Sequence, residues 1–106
     1  MDAFHLPKVT ADRERQGRSY LEFLRITSMS AGVYFLPAGG VDPQKPHAED
    51  ELYYVVKGRG AVQVDEQDQL VEPEALILVR AGSKHRFHSI TEDLTLLVFF
   101  SPAESS

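Results

Sequence analysis

Residues 42–58 read DPQKPHAEDELYYVVKG. One histidine and three acids (His47, Glu49, Asp50 and Glu51) crowd into five residues, after which the chain turns apolar and strand-like. Side chains along a strand alternate between its two faces. On a strand that begins early, His47, Glu49, Glu51, Tyr53 and Val55 share one face, while Asp50, Leu52, Tyr54 and Val56 share the other. Apolar residues on both faces at 52–56 predict a strand covered on both sides. Its polar start is then a mouth, where side chains can point into a cavity.

The rest of the chain sets the frame. A length of 106 residues with 42% hydrophobic and 25% charged side chains predicts one domain around a single core. No apolar run approaches the length of a membrane span, and the N-terminus lacks the basic start and apolar block of a secretory leader. Cysteine is absent, which removes disulfides, thiol catalysis and zinc-thiolate sites. The composition suits the cytoplasm. A net charge of -5 without a basic patch argues against a nucleic-acid partner. The densest basic stretch, RERQGR at 13–18, is interrupted by an acid and reads as solvated.

Residues 1–18 carry Pro7 and Gly17 and read as an N-terminal arm with little regular structure. YLEFLRITS and AGVYFL then read as strands, and Pro37 with Gly39 and Gly40 closes the second. ELYYVVKG is a third strand, ended by a turn at GRG, 58–60. AVQVDEQDQLVEP gives a hairpin signal, ALILV a short buried strand, and HRFHSI and LTLLVFF two more strands joined by a turn at 91–93. The tail, 102–106, is expected to be disordered. About eight short strands and no amphipathic helix predict an all-β sandwich or barrel over 19–101.

His47 and Glu51 lie ~13 Å apart along an extended strand, so they meet only if the strand curves and a second strand closes the site. The donor of that second strand is RAGSKHRFH, where a glycine turn leads into His85. Taken alone, the acidic segment reads as a solvated loop.

In its spacing the sequence resembles the cupins, small β-barrels of jelly-roll (double-stranded β-helix) type. Their first motif is Gly, five residues, His-x-His, three or four residues, Glu, six residues, Gly. Gly39, Lys45-Pro46-His47, Glu51 and Gly58 keep that spacing, with Lys45 at the place of the first His. The second motif is Gly, five residues, Pro-x-Gly, two residues, His, three residues, Asn. Here Gly82 and His85 match, while Glu74, Arg80 and Ser89 replace the Gly, Pro and Asn.

The resemblance implies a divalent transition metal (Fe, Mn, Ni or Zn) held by His47, Glu51 and His85. Lys45 falls on the fourth ligand position, where an ammonium offers no lone pair. Gln44 can reach in through its amide oxygen if the segment between Pro43 and Pro46 bulges. A rival set replaces Glu51 by Glu49. Tyr53 and Phe87 are expected to line the cavity, and Glu49 to be the first candidate for a general base. His88 has the opposite parity to His85 and is expected to face away.

Two function classes follow. One is a metal-dependent enzyme, oxygenase- or isomerase-like, acting on a small organic molecule. The other is a non-catalytic small-molecule binding or sensing module, with Lys45 pairing to an acidic ligand. A homodimer is expected for a cupin of this size.

Overall fold

Two long strands, β3 (Asp50–Val64) and β6 (His85–Ser101), organise the molecule. They pair antiparallel along nearly their whole length, from Asp50 opposite Ser101 to Val64 opposite His85. The computed structural model describes residues 1–105. Around the central ribbon lie β1 (Tyr20–Ile26), β2 (Met29–Leu36), β4 (Gln67–Val71) and β5 (Leu76–Val79). The sheet order is β1-β2-β6-β3-β4, and β5 pairs with the first part of β3.

Six strands stand where the sequence reading expects about eight, because neither expected turn breaks the ribbon. GRG at 58–60 and the segment 91–93 both continue as strand, and the pairing slips register three times between Val55 and Ala61. Such bulges bend a strand and raise its local twist. Gly58 has φ 101°, and a Cβ there would overlap the Asp93 carbonyl oxygen. The close crossing at this bend therefore requires glycine.

Curvature follows from the pairing. Glu51 and Val64 would lie ~43 Å apart on an extended strand at about 3.3 Å per residue. Yet His85, the partner of Val64, brings its Nε2 to 3.3 Å from a Glu51 carboxylate oxygen. The ribbon has curled on itself into a β-barrel, as the sequence reading expects. Its interior holds Leu36, Val55, Val62, Val79, Phe87, Ile90, Leu94 and Leu96.

Three expectations need correction. The N-terminal arm contains a helix, α1 (Leu6–Gln16). Pro7 and Gly17 act there as boundary residues: Pro7 lies in the first turn, and Gly17 takes a left-handed cap conformation and donates its N–H to the Glu14 carbonyl. Lys8 and Arg15 both pair with Asp12 on the exposed side. Val9 is its one buried residue, so no apolar stripe announces it. The tail is not disordered over 102–105; it folds back on the β1–β2 hairpin, while Ser106 lies outside the described residues. Finally, the outer face of β3 is only half-covered, intermediate at Tyr54 and Val56 and open at its start. Leu52 is 38% exposed, and its neighbours Leu76 and Leu78 on β5 also lie open.

Candidate metal centre

The ribbon's two tips supply the buried part of the site. Glu51, second residue of β3, is 1% exposed, and His85, first residue of β6, is 5% exposed. His47 arrives differently, from the irregular segment before β3, and its carbonyl accepts the Gly82 N–H in the turn ahead of His85. One ligand atom from each of His47, Glu51 and His85 lies within 4.8 Å of the other two. His47 Nδ1 is 2.8 Å from Glu51 Oε2.

The hydrogen bonds reveal what this cluster lacks. The Ser83 carbonyl, an acceptor only, stands 3.2 Å from His85 Nδ1, so the proton of the neutral ring belongs there. The Nε2 lone pair then faces Glu51 Oε2, the Gln44 amide oxygen at 3.1 Å and the Tyr53 hydroxyl at 3.1 Å. Tyr53 also contacts Glu51 Oε1 at 2.8 Å and Gln44 Oε1 at 2.9 Å. It has one hydrogen for three acceptors. The donor set is rich in buried lone pairs and short of protons, which suits a cation at its centre. Burial first, and the Glu51 carboxylate second, push the Tyr53 phenol well above its ordinary pKa, so that hydrogen is retained.

Gln44 is fixed by Asp42, a buried residue that the sequence reading did not single out. Asp42 accepts from Tyr34 Oη (2.7 Å), Gln44 Nε2 (2.8 Å) and the Phe87 amide (2.9 Å). The Gln44 nitrogen is thereby engaged, and its oxygen points to His85. Lys45, at the motif's first ligand position, is exposed on the wall of the adjoining cavity.

The other expected residues separate. Glu49 is 4% exposed but is not in the cluster; its Oε2 accepts from the Ser105 amide and hydroxyl. The parity argument fails for it because β3 begins one residue later, at Asp50. Asp50 points outward and accepts from the Ala81 amide. Tyr53 lines the cavity, whereas Phe87 packs beneath the site, edge-on to Tyr53 at 5.1 Å, within the core. His88 faces away and pairs with Asp68.

Beside the cluster opens a cavity of about 360 Å³ with His47, Gln44, Lys45, Tyr53, Phe100 and Glu104 in its wall. Tyr20 and Tyr34 close one side. The buried Tyr20 hydroxyl has no hydrogen-bond partner among the described residues, so it presents an unused donor. A glycine inside β2 was the one sequence signal for this: a Cβ at Gly32 would strike the Tyr20 ring. Glu104, missed because it lies in the tail, sets its Oε2 3.1 Å from His47 Nε2. Burial raises the pKa of its carboxyl, His47 opposes the rise, and the carboxylates of Glu51 and Glu49 add to it.

Comparison with known proteins agrees with this architecture. Residues 32–100 match the family model described as a cupin domain. The chain is 49% identical over 105 residues to the uncharacterized protein SCO3923 of Streptomyces coelicolor, covering 99% of this chain and 100% of that one. Among solved structures it is similar to BH2720 from Bacillus halodurans (TM-score 0.82, 17% identity, 99% of this chain and 83% of that chain). It is also similar to TT1209 from Thermus thermophilus (TM-score 0.75, 23% identity, 97% of this chain and 99% of that chain).

Proposed function

The chain belongs to the cupin-domain family, and from that premise we propose that it holds a divalent transition-metal ion and acts as a metal-dependent enzyme on a small organic molecule. His47, Glu51 and His85 are the ligands, and the Gln44 amide oxygen takes the place left by the absent motif histidine. The observation that carries this reading is the surplus of buried lone pairs around a single Tyr53 hydrogen. Imidazole with carboxylate and amide oxygen suits Fe(II), Mn(II), Ni(II) or Zn(II). When bound, such an ion supplies Lewis-acid or redox chemistry of the oxygenase or isomerase kind.

The chain's own groups would bind and orient the substrate. Lys45 offers a cation to an acidic substituent, the Tyr20 hydroxyl offers an unpaired donor, and the rings of Tyr34, Tyr53 and Phe100 give apolar walls. One observation favours the second reading, a non-catalytic binding module. Glu49, the expected base, is turned toward Ser105 and away from the cavity. A metal-loaded protein that holds its ligand unaltered through prolonged incubation would decide for the binder.

We further assign the protein to the cytoplasm as a homodimer that covers the open Leu52, Leu76 and Leu78 face. Light scattering of wild type against Leu78→Asp tests the dimer.

The direct test is metal content. Protein purified without chelator should carry a stoichiometric transition-metal ion, and His47→Ala or His85→Ala should lose it. A metal-free wild type whose Tm no divalent ion raises would end the metal reading.

A further inference from the structure

His47 differs from its two companions in having no strand to hold it. Glu51 and His85 are fixed by ladder pairing, whereas His47 sits in the irregular segment before β3 with its side chain 20% exposed. An imidazole in such a place can present either nitrogen inward, and its tautomer is set by what the other nitrogen meets. Here the other nitrogen meets the C-terminal tail.

We propose that residues 102–105 form a strap whose purpose is to carry Glu104, and that Glu104 is the positioning residue for His47. The tail is tied at successive backbone groups. Ala103 N–H approaches the Thr27 carbonyl at 3.5 Å, and Glu104 N–H donates to Ser30 Oγ at 2.9 Å. Arg25 donates to the Glu104 carbonyl at 2.7 Å, and Ser105 donates from its amide (3.2 Å) and hydroxyl (2.6 Å) to Glu49 Oε2. The last contact gives the buried Glu49 a role: it is the far anchor of the strap.

So tied, the tail places the Glu104 carboxylate 3.1 Å from His47 Nε2 while Nδ1 faces Glu51. With a cation between Nδ1 and Glu51, the Glu104 carboxylate would hold the ring proton at Nε2 and leave the Nδ1 lone pair for the Glu51–His85 side. A carboxylate behind a ligating histidine fixes ring orientation and raises its basicity in this way. Phe100, edge-on to the ring at 5.2 Å, limits its other movements. Glu104 also forms part of the cavity wall, so the strap bounds the space open to a ligand.

This assignment rests on the metal reading above, and the experiment separates the two. Co²⁺ is titrated into full-length wild type, Glu104→Ala, Glu104→Gln and Glu104→Asp, with affinity and the visible spectrum at saturation both recorded. Glu104→Ala should bind about 10–100-fold more weakly, with an unchanged saturated spectrum, and Glu104→Asp should recover part of the loss. Unchanged affinity in Glu104→Ala overturns the proposal; so does a changed saturated spectrum, which would make Glu104 itself a ligand. If wild type binds neither Co²⁺ nor Fe²⁺, Mn²⁺, Ni²⁺ or Zn²⁺, the metal reading fails. The strap is then judged by the His47 ring nitrogen shifts in metal-free protein. A change at Nε2 in Glu104→Ala sustains the positioning contact, and identical shifts overturn it.

Discussion

The waist and the tips of the β3–β6 ribbon are built under opposite demands. At the waist, Gly58 crosses the Asp93 carbonyl with Ile90 and Leu94 buried beside it, and among the described residues no buried polar side chain needs a partner there. At the tips, Glu51 and His85 are as well buried as that core yet share the single Tyr53 hydrogen with Gln44 as competing acceptors. The waist makes the fold; the tips use stability the waist supplies to hold groups that oppose burial.

The sharpest way to break this contrast is at Gly58. A Cβ there meets backbone, and φ 101° is hostile to any side chain. Gly58→Ala should destabilise the protein by about 2–5 kcal/mol, combining left-handed strain with overpacking. Urea unfolding measures it. A loss below that of His85→Ala in metal-free protein would mean the bend can relax, and the contrast would collapse.

The second prediction works at the tips. In chelator-treated protein, Glu51→Gln removes a buried carboxylate that has few donors and should be no less stable than wild type. With a divalent ion at 100 times its Kd, wild type should gain about 2.7 kcal/mol and the variant almost nothing. Thermal unfolding with and without the ion reads both halves. A variant already weaker without metal would make Glu51 a structural residue first.

The same division marks what the sequence could tell. The barrel was legible because strand signals are local and the motif spacing fixes where the ribbon bends. Glu51, His47 and His85 were legible because their spacing to glycines survives even where other motif letters change. Eight strands were expected instead of six because GRG and the acidic stretch at 91–93 are turn-like in composition, and only pairing across the ribbon keeps them extended. Asp42 and Glu104 were invisible for a different reason. Each enters the site through a contact between residues distant in the chain, and a lone carboxylate before a proline or in a polar tail has no period to betray it. Helix α1 escaped because its single buried residue leaves no stripe.

A third, milder prediction concerns alkaline pH. Tyr34 is held above its ordinary pKa by burial first, then by its hydrogen bond to Asp42 and that residue's charge. Tyr53 and Tyr20 are raised by burial and by neighbouring carboxylates. A raised acid binds its proton more tightly folded than unfolded. Its contribution to stability is therefore complete below the unfolded pKa of ~10 and is lost as pH climbs above it toward the folded value. Phenolate absorbance should show Tyr20, Tyr34 and Tyr53 protonated until the chain unfolds. Their ionisation in the still-folded protein would show that the site is open to water and the tips are less buried than the waist.

The smallest effect tests whether the backbone or the letter matters at a motif position. Five positions in the two motifs have positive φ: Gly39, Gly58 and Gly82, and also Glu74 and Ser89, where the family pattern has Gly and Asn. At Glu74 and Ser89 this chain takes a left-handed conformation with residues other than the motif's Gly and Asn. At Glu74 (φ 76°) the N–H donates to the Val55 carbonyl, which fixes the turn, while the side chain is exposed. Left-handed strain of about 1–2 kcal/mol should be released by Glu74→Gly, against roughly 0.5–1 kcal/mol of extra chain entropy in the unfolded state. The net expectation is a gain of about 0.5 kcal/mol, read as a higher urea midpoint with an unchanged slope. Gly58→Ala and Glu74→Gly thereby form a matched pair: at one position the space forbids a side chain, and at the other the chain merely tolerates one. If Glu74→Gly instead lowers the midpoint, the Glu74 side chain contributes to the fold, and the turn before β5 belongs with the waist in being specified by its residue and not by its φ alone.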